Sequence, residues 1–456
     1  FNELCPPLLH KWMDNGDLPN FKAFYDQSAS FITDVDVTDP KYLEPWIQWY
    51  SMHTGIPYDE HHIFNLTDGP RATHPDLWHI LKEVGLPVMS GGSMNTRQFN
   101  GHGNVFLADP WCDTQTAWPQ ELNIYQKFIA KQVQEHSNAT KPLTLQDAFA
   151  FGAFILGNGL SWASMKGISK QIFDEMLKDR RLNYRRVTAL DLLQYDVFKH
   201  YYQTHRPQFA TLFSNSIAHL QHSFWRHMEP EAFQNKPSED DILTYGDAIH
   251  FGYKAVDQIL GRIMKTFGND ATLIFSTALS QQPFEKYEAQ GGQYFYRPHN
   301  IQDLLKALGI SYRHVEPVMT HQYMLHCKDE GEVHEAEQKL QACTVENKTV
   351  FATRKEGSTD LYFGSQISMK VSDEAPFKGP DHQWSDFSSH FYLIDQSKSG
   401  CHHPDGVLWI RTGTPRRLED RNVSILDIAP TVLDLLGQSA AQPTNWTGKS
   451  LVPQLV

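Results

Sequence analysis

The feature that most constrains the fold is a repeated step from an amphipathic helix into a short apolar strand. Apolar residues recur at helical spacing over Leu243–Phe267, and the continuous apolar run Ala271–Ser276 follows closely. Such a run is typical of a strand buried on both faces of a parallel sheet. Earlier in the chain, His74–Val84 predicts a helix and Leu86–Met89 predicts the strand after it.

Helices that alternate with strands favour an α/β fold, in which helices sandwich a doubly wound, mostly parallel sheet. Two segments depart from this alternation. Residues 119–205 are mainly helical and charged, which predicts a helical excursion, and residues 300–375 predict a small βαββ-like α+β insertion. The main domain would then comprise residues 1–299 and 376–456.

Composition narrows the classes of function. The net charge of −13 argues against a general attraction to nucleic acid or to an anionic membrane. No stretch approaches the roughly 18 uninterrupted apolar residues of a membrane span. The five cysteines show no close pairing, so neither a disulfide scaffold nor a cysteine zinc site is indicated. Cysteine usage predicts a reducing, cytoplasmic setting, which the five N-x-[ST] sequons weaken only slightly.

Four segments carry a resemblance to a known family. They are Leu18-Pro19-Asn20 with Phe31, WYSMHTGIPYDEHHI at Trp49–Ile63, FSNSIAHLQHSFW at Phe213–Trp225, and SGCHHPDGVLWI at Ser399–Ile410 with VSILDIAPTVLDLLG at Val423–Gly437. In this order, and over nearly the whole chain, they resemble the motifs of the alkaline phosphatase superfamily. The resemblance extends to its type I phosphodiesterase/nucleotide pyrophosphatase and sulfatase-like members, and it implies an alkaline-phosphatase-like fold.

The resemblance implies a site that normally holds two divalent metals, which clamp an ester oxygen and activate a Thr or Ser nucleophile. Here the ligand motifs are degenerate. Ala218 stands where the family has the Asp of D-H-x-x-H, and Ser276-Thr277-Ala278-Leu279 replaces S-D-H-G. The Asp that closes the family's first strand is expected to have no counterpart, because the chain starts at Phe1. His222 and His402 remain, which implies at most one metal, zinc or manganese, or none.

The position of the nucleophile is also altered. The family has Thr or Ser there, whereas Glu44 is the nearest polar group in this chain. A carboxylate at this place could replace the nucleophile, act as general base or supply a third metal ligand, and an ordinary loop salt bridge is about equally expected. His219 is a second catalytic candidate, although such a residue more often supports a ligand or lies exposed.

Candidate substrate-binding residues lie near these positions. Trp46 would usually pack in the core, but an aromatic ring beside a carboxylate also suits stacking on a sugar or nucleobase. Gln281 and Gln282 follow an apolar strand, and their amides suit recognition by hydrogen bonds. Arg297 could hold an anionic group through its forked donors, or simply be a solvated surface residue. The predicted partner is a small-molecule or glycan-type anionic substrate.

Three functions remain open from the sequence. The leading one is a hydrolase or transferase that acts on a phosphate, sulfate or glycosyl-type ester with at most one metal. The second is a catalytically inactive pseudoenzyme that serves as a binding module. The third is a metal-free acid/base enzyme such as a glycosidase, whose chemistry usually needs a second carboxylate that the sequence does not place.

Overall fold

The computed structural model describes residues 1–112, 114–135, 144–268, 270–319, 321–380, 383–394 and 398–455. The amino-terminal part contains α1 (Pro6–Asp14), α2 (Pro19–Tyr25), β1 (Ser28–Asp34), α3 (Pro45–Thr54), α4 (Tyr58–His61), α5 (Leu77–Glu83), β2 (Val88–Gly91) and β3 (Val105–Leu107). The helical excursion follows with α6 (Leu122–Glu135), α7 (Leu145–Gly157), α8 (Trp162–Leu177) and α9 (Arg186–His205).

The chain then returns to alternating helices and strands. These are β4 (Phe209–Leu212), α10 (Ser216–Met228), α11 (Glu239–Tyr245), α12 (Ala248–Phe267), β5 (Ile274–Ser276), β6 (Ser280–Pro283) and β7 (Tyr296–Pro298). The next segment contains α13 (Ile301–Ala307), β8 (His314–Met319), β9 (Gln322–His326), α14 (Glu330–Gln341), β10 (Thr344–Val345), β11 (Lys348–Thr349), β12 (Phe351–Glu356), β13 (Asp360–Ser365) and β14 (Pro376–Lys378). The carboxyl-terminal part contains β15 (Gln383–Asp386), α15 (Phe387–His390), β16 (Phe391–Leu393), β17 (Gly400–His403), β18 (Asp405–Arg411), β19 (Arg416–Ser424) and α16 (Ile428–Leu435).

Two sheets form the centre of the fold, with strand orders β19-β1-β18-β5 and β3-β2-β4. In the part of the chain that the structure describes, three of their five strand pairings are parallel: β1 with β19, and β2 with both β3 and β4. The predicted α/β class is confirmed. The expectation of parallel neighbours for the run Ala271–Ser276 was wrong, because β5 pairs antiparallel with β18. An apolar run reports burial and does not encode the direction of the adjacent strand.

Helices cover both faces of the sheet that contains β18, as alternation along this strand shows. Leu408 and Ile410 pack in a core with residues of α3 and α16, whereas Val407 and Trp409 pack in a second core with residues of α1, α2 and α12. Successive strand residues point to opposite faces, so each face has its own helical layer. The predicted sandwich of sheet and helices is confirmed.

The single long helix predicted over Leu243–Phe267 is instead two helices. α11 ends at Tyr245, and α12 begins at Ala248 after Gly246 and Asp247. Glycine is among the weakest helix formers because it loses the most backbone freedom, and Asp is a favoured residue just before a helix. The apolar spacing continues through this break, which is why periodicity alone did not reveal it.

The segment predicted as an insertion contains the four-stranded antiparallel sheet β12-β13-β9-β8, with α14 against β12. Its hydrophobic core includes buried residues from Tyr296 to Phe391. The limits 300–375 remain a prediction. Among the described residues, no helix has both the length and the apolar composition needed to cross a bilayer.

Candidate metal centre

Two histidines that are far apart in sequence lie side by side. His222 lies on α10, which begins just after the carboxyl end of the parallel strand β4, and His402 lies on β17. Their ring centroids are 5.1 Å apart. Ligand sites in α/β folds commonly form beyond the carboxyl ends of parallel strands, so this placement is typical of a site.

Glu3 completes a cluster with these two rings. Its Oε2 atom lies 3.2 Å from His222 Nε2 and 3.6 Å from His402 Nε2. One ligand atom from each of the three residues lies within 4.8 Å of the other two. Glu3 was not among the candidate residues predicted from the sequence. The available signal was an acid just before the helix that precedes Leu18-Pro19-Asn20.

Glu3 is held rigidly in this position. It is only 2% exposed, and its φ of 61° lies in the left-handed region that residues other than glycine rarely adopt. Gln221 Nε2 donates to its backbone oxygen at 2.7 Å, Asn2 Nδ2 donates to its Oε1 at 2.8 Å, and Gln281 Nε2 donates to its Oε2. Such conformations persist where the surroundings impose them, and they concentrate at functional sites.

Backbone carbonyls fix which nitrogen of each imidazole carries a proton. His222 Nδ1 lies 3.0 Å from the carbonyl oxygen of Gly400, and His402 Nδ1 lies 2.7 Å from that of Leu43. A carbonyl oxygen only accepts hydrogen bonds, so each Nδ1 must donate. In a neutral ring the Nε2 atom is then an unprotonated lone pair, and both Nε2 atoms face Glu3.

Burial and hydrogen bonds shift the pKa values of residues in this cluster. Burial lowers the pKa of His402 to about 4, in spite of the nearby Glu3 carboxylate, so this ring is neutral at pH 7. Burial alone would raise the pKa of Glu3, but its interactions with His402, His222 and Gln281 lower it. An ionised carboxylate therefore faces the neutral His402 ring and the Nε2 atom of His222, and a bound cation would stabilise this arrangement.

The geometry fits one divalent ion. Ligand atoms bonded at about 2.1 Å to one tetrahedral ion lie about 3.4 Å apart, and the two measured separations, 3.2 and 3.6 Å, lie on either side of that value. Two imidazoles and one carboxylate form a donor set that catalytic zinc uses, with a fourth position left for water or substrate. Manganese prefers a larger share of oxygen ligands, so zinc fits this donor set better.

Glu44 lies beside the cluster but on the other edge of the His402 ring. It is the residue just before α3, and its Oε2 atom is 3.4 Å from His402 Nδ1. Its side chain is 29% exposed, yet burial of the rest raises its pKa to about 8; Lys398 opposes this rise and Glu3 adds to it. Much of Glu44 is therefore protonated at neutral pH. The carboxylate beside the Nε2 atoms is Glu3, not Glu44.

Three other candidate residues lie around the cluster. Gln281, which is 1% exposed, holds Glu3, and Gln282 Nε2 donates to the backbone oxygen of His402 at 3.3 Å. His219 lies one turn before His222 on α10 and is exposed. Two of the three therefore support the cluster directly, and the catalytic role of His219 remains a prediction.

Trp46 and Arg297 make contacts within the protein. Trp46 is 8% exposed, packs in the core, and donates its indole N–H to the backbone oxygen of Phe64 at 2.7 Å. Arg297 is 4% exposed and donates to the Tyr392 hydroxyl at 3.0 Å. The indole N–H of Trp46 is therefore directed to the backbone and not to Glu3, His222 or His402. Their substrate-binding roles remain predictions.

The positions at which the family's S-D-H-G motif has its Asp and His ligands are Thr277 and Ala278, and both are fully buried. The Thr277 hydroxyl accepts a hydrogen bond from the backbone N–H of Val407 at 3.0 Å. Ala218, which stands in place of the Asp of D-H-x-x-H, is 3% exposed and has no side-chain atom that could bind a metal.

No protein-family model and no curated protein matches this chain. Solved structures are similar over nearly its whole length. Phosphonoacetate hydrolase from Sinorhizobium meliloti 1021, in complex with phosphonoformate, has 13% identity and a TM-score of 0.44 over 97% of this chain and 94% of that one. Wild-type alkaline phosphatase PafA has 11% identity and a TM-score of 0.46 over 99% and 96%. Murine ectonucleotide pyrophosphatase/phosphodiesterase 5 has 10% identity and a TM-score of 0.38 over 94% and 92%.

With TM-scores below 0.5 and identities of 10–13%, these similarities decide neither the family nor the chemistry of this chain.

Proposed function

We propose that this chain hydrolyses anionic esters and uses one divalent metal held by Glu3, His222 and His402. Phosphate esters are the leading substrate class. The observation that carries the proposal is the convergence of two imidazole Nε2 atoms and one carboxylate oxygen at the spacing of metal ligands. A divalent ion held there would polarise an ester oxygen and stabilise the charge that develops on it. The motif resemblance supports ester hydrolysis as the reaction class.

Glu44 is the acid–base group in this proposal. Its raised pKa, about 8, keeps a proton on the carboxyl at neutral pH, and such a group can protonate a leaving oxygen. Its place at the start of α3 fixes it beside His402, while the carbonyls of Gly400 and Leu43 orient the two imidazoles. Asn2 and Gln281 orient Glu3 in the same way.

The absence of a Thr or Ser at the nucleophile position favours a second candidate function, that of a binding module. The nearest polar group there is a carboxylate, and buried alanines occupy former ligand positions. A single ion could then bind an anion without cleaving it. Glu3 also gives the site a second carboxylate beside Glu44, so aryl glycosides belong among the substrates to be tested.

Purified protein should contain close to one zinc or manganese ion per chain and should cleave a nitrophenyl ester only when the ion is present. We expect His402→Ala to lower metal content and to reduce kcat/KM roughly 100-fold or more, because it removes one ligand and one side of the site. The measurements are elemental analysis and turnover of 4-nitrophenyl phosphate, bis(4-nitrophenyl) phosphate, 4-nitrophenyl sulfate and 4-nitrophenyl glycosides.

The matched control is His326→Ala, because His326 also contacts a glutamate, Glu316, at 3.3 Å but lies in the insertion. This variant should keep metal and turnover. Bound metal without turnover of any ester would support the binding module instead. Turnover of a glycoside that survives chelation would favour metal-free chemistry, and absence of both metal and turnover would refute the proposal.

The Glu44→Gln variant should retain its metal and lose roughly 10²–10⁴-fold in kcat, the range expected for removal of a general acid. A general acid must be protonated, so wild-type turnover should decline as the pH rises through the Glu44 pKa of about 8. A glutamine does not titrate, and the variant should lack this decline. A variant with wild-type kcat and an unchanged pH profile would exclude Glu44 as the acid.

A further inference from the structure

Large apolar side chains are exposed mainly along two consecutive helices, α7 and α8. Of the eleven exposed large hydrophobic residues in the described ranges, eight lie between residues 145 and 177, on α7 and α8. They are Leu145, Phe149, Leu156, Trp162, Ile172, Phe173, Met176 and Leu177. We call these eight residues the apolar hairpin surface. Exposed large apolar groups that are concentrated in one place usually mark an interaction site.

The spacing along α7 shows a helix with two apolar sides. Phe151, Phe154 and Ile155 are buried and belong to the core that α7 shares with α6. Leu145 and Phe149 are 92% and 81% exposed and lie one turn apart on the side that faces solvent. In an aqueous environment, a helix with two apolar sides normally has both of them covered by protein or by a binding partner.

Two of the largest exposed side chains flank the short connection between the helices. Leu156 is 69% exposed near the end of α7, and Trp162 is 81% exposed at the first position of α8. Trp is favoured at the boundary between lipid tails and headgroups, because its ring is largely apolar and its N–H can remain hydrated.

The charges around this surface are positive, in contrast to the chain as a whole. Residues 161–186 contain seven Lys and Arg against three Asp and Glu, within a chain of net charge −13. Two of the three acids point inward: the side chains of Asp174 and Glu175 are 11% and 7% exposed, whereas that of Asp179 is 34% exposed. The bases that pair with them point outward, with Lys170 at 71% and Arg186 at 69% exposed.

We propose that α7 and α8 bind the surface of a membrane that carries anionic headgroups. The apolar hairpin surface would enter the interfacial region, and the outward-pointing Lys and Arg side chains would contact the headgroups. Apolar side chains and basic residues together are what interfacial helices use to bind anionic lipid. This inference is independent of the chemistry at the metal centre.

A second copy of the chain is a poorer occupant. If two such surfaces met face to face, each copy would bring the same outward-pointing cations against those of the other, and like charges repel. An anionic lipid surface complements both the apolar side chains and the positive charge.

The test uses the full chain in co-sedimentation with vesicles of phosphatidylcholine alone or with about one third phosphatidylserine. We expect binding to the anionic vesicles at low salt and weaker binding at high salt, because the headgroup attraction is screened. Trp162→Glu and Phe149→Glu should each lower the partition coefficient roughly tenfold or more, since each removes a large apolar side chain from the interface. Lys166 is exposed on α8, and Lys166→Glu should lower binding to the anionic vesicles without changing binding to phosphatidylcholine vesicles.

The matched control is Leu243→Glu, because Leu243 is 86% exposed but lies on α11, outside the apolar hairpin surface. It should bind as the wild type does. The proposal is overturned if no vesicle binding occurs at low salt, or if Trp162→Glu and Phe149→Glu both bind like the wild type. A lipid-free dimer that the same two substitutions disperse would assign the surface to a second copy instead.

Discussion

Replacing Glu3 by glutamine should abolish the stabilisation of this protein by zinc. In the wild type, an ion bound at a free concentration of about one hundred times its Kd adds about 2.7 kcal/mol to the free energy of unfolding. The substitution keeps the shape of the side chain but removes the negative charge that faces both Nε2 atoms. We expect the affinity for zinc to fall roughly 100-fold or more, since one of three protein ligands is lost.

Thermal melting with zinc or with a chelator measures this effect without reference to any activity. Wild-type protein should melt several degrees higher with zinc than with chelator, and the Glu3→Gln protein should melt at nearly the same temperature in both. Glu316→Gln is the matched control, because Glu316 lies 3.3 Å from His326 Nε2 outside the cluster and its variant should respond to zinc normally. Equal melting of wild-type protein with and without zinc would argue against the metal centre even if an ester were cleaved.

The zinc effect should also weaken in acid. Protons compete with metal for the imidazole and carboxylate ligands, so affinity falls as the pH decreases. The arrangement of this site makes the competition specific: each Nδ1 already donates to a carbonyl, and only the Nε2 atoms remain for either a proton or an ion.

The sequence predicted where helices and strands form better than it predicted which strands pair and in which direction. α5, β2 and β5 lie close to where apolar spacing places them, because that spacing reports which face of an element is buried. The helix that carries His222 and the strand that carries His402 were not predicted. Strand direction depends on contacts that are distant in sequence. The antiparallel pairing of β5 with β18 joins residues near 275 and 409 and has no local signature.

The candidate site shows the same difference between local signals and contacts that are distant in sequence. His222 and His402 follow from motif resemblance, whereas Glu3 was missed because its role arises from contacts with Gln221 and Gln281, more than 200 residues away. Trp46 was proposed for substrate stacking as well as for packing, and in the structure it packs. A sequence shows which side chains could do chemistry, and the fold determines which of them meet.

Removing the carboxylate of Glu288 should destabilise the protein by about 3–5 kcal/mol, the usual consequence of breaking a buried ion pair. Arg226 on α10 and Glu288 before β7 have side chains that are 6% and 5% exposed, with Arg226 Nη2 and Glu288 Oε1 2.6 Å apart. Glu288→Ala would leave the guanidinium buried without a counter-charge. Denaturant unfolding of Glu288→Ala and wild type measures the difference.

The matched control is the exposed pair of Lys236 and Glu231, whose side chains are 48% and 84% exposed. Exposed pairs contribute about 0–1 kcal/mol, so Glu231→Ala should unfold almost as the wild type does. Burial alone would raise the pKa of Glu288, but Arg226 and Asn235 together hold it below its usual value. The stabilisation is therefore present at neutral pH and is lost as the pH falls through the lowered pKa.

This ion pair bears on the metal centre because Arg226 lies one turn after His222 on α10. The backbone N–H of Arg226 donates to Ser399 Oγ, and Ser399 N donates to the backbone oxygen of His222, which ties α10 to the segment that leads into β17. We expect Glu288→Ala to weaken zinc binding less than Glu3→Gln does, because the ligands remain and only their support is loosened. If Glu288→Ala lost the zinc response completely while remaining folded, the pair would be holding the two histidines together rather than stabilising the fold.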